Sequence, residues 1–282
     1  MTDRAAARLR AGLHTGRTAA RGVYASLAEL GLARMTPPRG HHDAALRLAA
    51  SLRAVGDAHG LRVTVRGEVP REVTLLASNH VSYLDPLVIL PVCPAMPLAK
   101  AEVARWPLIG PIGRALGVTF VDRDDPASRI RALRRLHATL SAGTSVLNFP
   151  EGTTTPGDSL RPFWRGGFGV VARLGLPVTP LAIRYLDPAM AWTGGQTFLP
   201  HYLRMASRPH VDVELAFGSA LYPRAGEPAE RLAARARAAV GRLLAEGRPL
   251  VSTSAVVHPG SSHAAVRVRV PPPRPDSLLP AA

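Results

Sequence analysis

Glu72-Val73-Thr74-Leu75-Leu76-Ala77-Ser78-Asn79-His80-Val81-Ser82-Tyr83-Leu84-Asp85-Pro86 passes from a short apolar run into a cluster of polar and ionisable side chains. The apolar part, Glu72 to Ser78, has the length and bounds of a buried β-strand. The residues after it place a histidine and a carboxylate five positions apart. On a straight helix with 3.6 residues per turn, that spacing sets the two side chains about 140° apart, so they do not face each other. They meet only if a turn separates them, with His80 at the strand end and Asp85 near the start of the next helix. The pair then reads either as a structural hydrogen bond or as a general base with its orienting carboxylate. In open α/β sheets, the strand ends are where ligands bind.

Further strands are predicted on both sides of this stretch. Leu61, Val63 and Val65 alternate as in a half-exposed strand, and others are expected at Met96–Ala99, Gly117–Asp122, Thr144–Phe149, Pro177–Arg184 and Val211–Phe217. Helical patterns separate them, clearest at Pro126–Ala142, Gly166–Leu174 and Glu227–Glu246. Pro126 occupies a favourable first-turn position. Strands alternating with helices predict an α/β domain with a mixed, largely parallel sheet flanked by helices, over residues 60–247.

Residues 1–59 form a second region, an N-terminal helical one. Seven arginines stand against Asp3 and Glu29 within its first forty residues, and Val23, Tyr24, Leu27 and Leu30 recur at helical spacing. A short basic amphipathic helix of this kind suits an anionic membrane surface. An ordinary packed helix or a disordered arm also fits the pattern. Pro37-Pro38 ends the segment, and Ala45, Leu48, Leu52 and Val55 mark a second amphipathic stretch. Residues 248–282 turn to Ser, Val and Pro and are expected to be a disordered tail.

Composition narrows the functional classes. The chain has 282 residues and a formal net charge of +15 at pH 7. Its one cysteine, Cys93, excludes an intramolecular disulfide framework and a thiolate-built metal cluster. Aromatic residues make up only 5%, which argues against a base-stacking nucleic-acid module, so no nucleic-acid partner is expected. No window reaches the ~18 uninterrupted apolar residues of a membrane span. Among the 35 basic side chains Lys100 is the only lysine, so an ammonium is singled out there.

Three more segments carry chemistry. Pro97-Leu98-Ala99-Lys100-Ala101-Glu102 leads through Trp106-Pro107-Leu108-Ile109-Gly110 to Val121-Asp122-Arg123. Phe149-Pro150-Glu151-Gly152-Thr153-Thr154-Thr155-Pro156-Gly157 follows another predicted strand, and Leu176-Pro177-Val178-Thr179-Pro180-Leu181 comes last. Two local matches lack their partners. Gly157-Asp158-Ser159-Leu160 spells a serine-esterase signature without the required Asp-x-x-His. His41-His42-Asp43 has no distant residue at metal-ligand spacing, so no metal site is expected.

In order and spacing, the four segments resemble the four motif blocks of the glycerolipid acyltransferases, over roughly residues 60 to 220. That superfamily includes 1-acyl-glycerol-3-phosphate and lyso-ornithine lipid acyltransferases. The resemblance implies His80 as general base and Asp85 as its partner, with no covalent acyl-enzyme. It implies an acyl thioester, acyl-CoA or acyl carrier protein, as co-substrate, a lysolipid as acceptor, and no other cofactor. Glu151 and Gly152 would line the acceptor site with Thr153 and Thr154, while Lys100 and Arg123 hold an anionic head group. Two positions depart from the phosphatidate-forming pattern: Thr154 stands where Arg is usual, and Trp164 where Lys is favoured. Lys100, Arg123 and Arg165 are the cations able to compensate. The losses favour a less phosphate-dependent acceptor, such as a lyso-aminolipid. The resulting expectation is a peripheral enzyme on the cytoplasmic face of the membrane. The rival is a catalytically dead basic module that binds membranes or anionic polymers.

Overall fold

The computed structural model describes residues 2–107 and 109–246. The expected tail at 248–282 lies outside the described residues. Seven strands form one sheet: β1 (Leu61–Arg66), β2 (Leu75–Ser78), β3 (Met96–Lys100), β4 (Thr119–Val121), β5 (Val146–Asn148), β6 (Val178–Tyr185) and β7 (Val211–Phe217). Their order is β1-β7-β6-β2-β5-β3-β4, and only β6 and β7 run antiparallel. The sheet is thus mixed and mostly parallel, as expected. Among the described residues there are eight α-helices, α1 (Thr2–Met35), α2 (His41–Ala58), α3 (Asp85–Ile89), α4 (Ile109–Ala115), α5 (Pro126–Ser141), α6 (Gly166–Leu174), α7 (Phe198–Ala206) and α8 (Ala229–Ala245), and two short 3-10 helices, Ala101–Arg105 and Pro188–Met190.

β2 is the keystone. It is buried along its whole length between β5 and β6, with Leu75 opposite both Val146 and Val178. Burial on both faces explains why it reads as a continuous apolar run instead of alternating. It starts at Leu75 and not at Glu72, because side chains take over from the ladder there: the Thr74 amide donates to Ser145 Oγ, and Thr74 Oγ1 donates to the carbonyl of Pro177. One core lies on the α2 and α3 side, around Leu48, Leu76, Leu84 and Leu181. A second, around Leu75, Leu136, Phe168 and Leu232, is covered by α5, α6 and α8.

The helices follow local signals. Asp125 caps α5 through hydrogen bonds from the amides of Ala127 and Ser128, and Pro126 fills the first turn. α8 begins after Pro228, two residues later than the sequence pattern predicts. α7 was not legible, because Pro200 interrupts its pattern. The proline falls in the first turn, where its missing N–H leaves no intrahelical bond unmade. α1 is one long helix in place of the short one expected. It buries Thr18, and Gly22 faces the His59 ring, while Leu13, Val23, Tyr24 and Leu27 stay exposed. Among the described residues, no helix is long and apolar enough to cross a membrane.

Candidate active site

Because β2, β5, β3 and β4 all run parallel, their carboxyl ends fall at one edge of the sheet. That topology gathers the first three motif segments, since each follows or ends one of these strands, while the fourth, 176–181, opens the neighbouring β6. Asn79 anchors the first. Its side-chain amide donates to the carbonyl of Ile183 and accepts from the Ile183 amide, extending the β2–β6 pairing by one step. His80 is the next residue out.

A turn separates His80 from Asp85, as the spacing requires. Asp85 starts α3 and is fully buried. Its Oδ2 lies 2.7 Å from His80 Nδ1 and accepts the Val81 amide at 2.8 Å, and both oxygens lie 3.1 Å from the Ser82 amide. Tyr185 Oη donates to Oδ1 at 2.8 Å. A carboxylate with this many donors stays an acceptor, so His80 Nδ1 carries the proton and Nε2 keeps its lone pair. Stacking on Phe149, with centroids 4.0 Å apart and planes at 17°, fixes the ring plane. The imidazole side chain remains 18% exposed, enough for a reactant to reach it.

Glu151 ties the second motif to the first. Its Oε1 accepts the His80 amide and its Oε2 the Arg161 amide, each at 2.9 Å. Burial pushes the Glu151 carboxyl above its ordinary pKa, against the downward pull of those two amides. Thr155 adds a further tie, its amide donating to the His80 carbonyl at 2.8 Å. Gly152 sits at φ +78°, where a Cβ would lie 3.0 Å from Trp164 Nε1 and 3.3 Å from an Arg123 Nη1. Only glycine fits both that backbone and that space.

The other predicted site residues divide. Half-buried Arg123 reaches Gly152, and burial lowers its pKa against the opposing charge of Glu102. Lys100 Nζ pairs with Glu102 Oε1 at 2.6 Å on the surface, so Lys100 and Arg123 flank one carboxylate. Thr153 is exposed and Thr154 half-buried, in the loop after Glu151. Arg165 is turned to Glu230 of α8 and is not among the groups contacting His80, Asp85 or Glu151. Ser159 of the esterase-like tetrapeptide is exposed and donates to its neighbour Asp158. Among the described residues no group of three or more His, Cys, Asp or Glu is placed to hold a metal ion.

Tyr185 and Thr155 are site residues that sequence reasoning missed. Tyr185 ends β6, and the only available signal was a tyrosine closing the strand that pairs with β2. Burial, and then the adjacent Asp85 charge, raise its phenol well above the ordinary pKa, so it stays a donor. Tyr185→Phe should therefore keep the fold while leaving Asp85 Oδ1 short of one hydrogen bond, worth about 0.5–1.5 kcal/mol. The expected result is a kcat lowered several-fold, KM unchanged, and a displaced acidic limb in the pH–rate profile, the limb on which a general base is lost by protonation. An unaltered profile would make Tyr185 a mere packing residue.

A histidine is thus held by a buried carboxylate at the carboxyl edge of a mixed sheet, beside a Glu-Gly-Thr loop. Residues 61–184, less than half of the chain, match the Acyltransferase family model. The chain is 34% identical over 182 residues to a lyso-ornithine lipid O-acyltransferase of Rhizobium meliloti (strain 1021), covering 57% of this chain and 62% of that protein. It is 35% identical over 128 residues to a 1-acyl-sn-glycerol-3-phosphate acyltransferase of Neisseria gonorrhoeae, covering 45% of this chain and 49% of that protein. The chain thus spans less than two thirds of the length of these relatives. The crystal structure of the 1-acyl-sn-glycerophosphate acyltransferase PlsC from Thermotoga maritima shares the fold, with a TM-score of 0.62 at 21% identity, covering 85% of this chain and 96% of that one.

Proposed function

We propose that the protein moves a fatty acyl group from an acyl thioester, on coenzyme A or acyl carrier protein, to the free hydroxyl of a lysolipid such as 1-acyl-glycerol-3-phosphate. The observation that carries this reading is the His80–Asp85 bond, which leaves Nε2 as a base at the carboxyl edge of the sheet. Nε2 takes the hydroxyl proton as the oxygen attacks the thioester carbonyl. Asp85 stabilises the imidazolium, which returns the proton to the departing thiolate as the C–S bond breaks. The thioester is a co-substrate, and no other cofactor takes part. A catalytically dead basic module has no need of a base with this support.

Membrane contact is peripheral in this reading and lies on the cytoplasmic face, where acyl thioesters are made. It is supported by the +15 charge and by exposed Leu13, Val23, Tyr24 and Leu27 on α1.

A lyso-aminolipid acceptor is the second reading. Thr154 favours it, as do the names of the relatives in Rhizobium meliloti and Pseudomonas aeruginosa, both lyso-ornithine lipid O-acyltransferases. The deciding experiment is incubation of the purified chain with labelled acyl-CoA, or acyl carrier protein, and a panel of lysolipids. Thr154→Arg supplies a guanidinium suited to a phosphate. It should raise the activity on lysophosphatidate relative to a lyso-aminolipid by about ten-fold. An unchanged ratio would show that acceptor choice is made elsewhere.

A further inference from the structure

A second feature lies among the helices that cover the second core and takes no part in the steps above. A cleft of about 800 Å³ opens between α5, α6 and α8. That volume falls within the roughly 300–1,000 Å³ of small-molecule sites. The cleft begins at Arg165, one residue beyond the Trp164 that touches Gly152. Ile130, Leu133 and Val170 form its apolar floor, and Ile130 is 52% exposed. Gly166 and Gly169 keep the α6 wall low.

The rim is basic. Arg134 of α5 and Arg173 of α6 are exposed and make no hydrogen bond or ion pair among the described residues. Arg165 is already engaged by Glu230. Neither α5 nor α6 contains an Asp or Glu, so nothing on those helices neutralises the two guanidiniums. A lone exposed arginine is an ordinary solvated charge. Two unpaired ones over an apolar floor instead match an amphiphile whose anionic group is planar-fork compatible, above all a phosphate ester on a short apolar arm.

We infer that this cleft seats the phosphopantetheine arm of the acyl donor, its phosphate on Arg134 and Arg173 and its chain over Ile130, Leu133 and Val170. The inference rests on the acyl-transfer reading for the identity of the ligand. Coenzyme A and acyl carrier protein both present this arm, so the same chemistry has two sources.

The test is direct binding to the full chain, by titration with coenzyme A in one arm and with phosphopantetheinylated acyl carrier protein in the other. The Arg134→Gln/Arg173→Gln variant is compared with Arg62→Gln/Arg71→Gln, which removes the same charge from exposed positions outside the cleft. The cleft variant should bind at least about ten-fold more weakly in one or both arms, while the control stays near the wild-type value. Weakening in both arms assigns the shared arm from either source, and weakening in one assigns that donor. Equal weakening in the control, or none in either arm, overturns the inference. Turnover separates the two readings. Acyl transfer with a donor KM indifferent to the cleft variant leaves the enzyme standing without this site. Donor binding through the cleft, with no transfer to any lysolipid, leaves the site standing without the acyltransferase reading.

Discussion

Replacing His80 by alanine should lower thioester-dependent acyl transfer by about two to four orders of magnitude, the contribution of a positioned general base. The loss should fall on kcat, because the imidazole acts on the hydroxyl proton as the oxygen attacks. Binding of donor and lysolipid should change little. Folding should also survive. The His80 backbone, through its amide to Glu151 and its carbonyl to Thr155, remains in place, and the missing ring opens a space already in contact with solvent. A single-turnover measurement with labelled acyl-CoA checks the prediction. Near wild-type turnover in a folded His80→Ala protein would assign the proton transfer to another group.

Asp85→Asn should be nearly as damaging for a different reason. The asparagine side chain keeps the volume but offers one acceptor oxygen where the carboxylate offers two. Val81 N–H, Ser82 N–H, Tyr185 O–H and His80 Nδ1 all converge on that group, and its amide NH₂ would face at least one donor. A buried donor left without an acceptor costs about 1–3 kcal/mol. The melting temperature should therefore drop by several degrees, roughly 2–4 °C per kcal/mol for a chain of this size. If the amide nitrogen turns to the histidine, Nδ1 loses its acceptor and the imidazole is driven to the tautomer that protonates Nε2. The base is then lost, and kcat falls by about 10²–10⁴. Asp85→Glu tests the geometry: one extra methylene in a fully buried site should restore charge but not rate. A variant that loses stability yet retains kcat would confine Asp85 to a structural role.

The sequence reading and the structure agree most closely where the information is local. The apolar run Glu72 to Ser78 announced a buried strand, which the structure has from Leu75 to Ser78, and Pro126 marked the start of α5. The five-residue step from His80 to Asp85 could only close through a turn, and the turn is there. Strand ends were less legible. Thr74 and Ser145 replace ladder bonds with side-chain ones, and nothing in their immediate neighbours signals the exchange. α7 stayed hidden because a proline in a first turn costs a helix little but erases its pattern.

What the chain determines unaided is therefore the alternation of strands and helices, the turn that joins a histidine to its carboxylate, and the resemblance those residues carry. Periodicity and short spacing encode these, since the groups involved are within a few bonds' reach of each other. Only the tertiary structure decided that Tyr185, one hundred residues away, would donate to Asp85, that Glu151 would grip the backbone of His80, and that Arg165 would turn to Glu230. It alone joined Arg134 and Arg173 across an apolar cleft. Such contacts depend on the order of strands in the sheet and on which helices cover it. The packing of the whole core sets both, beyond the reach of any single stretch.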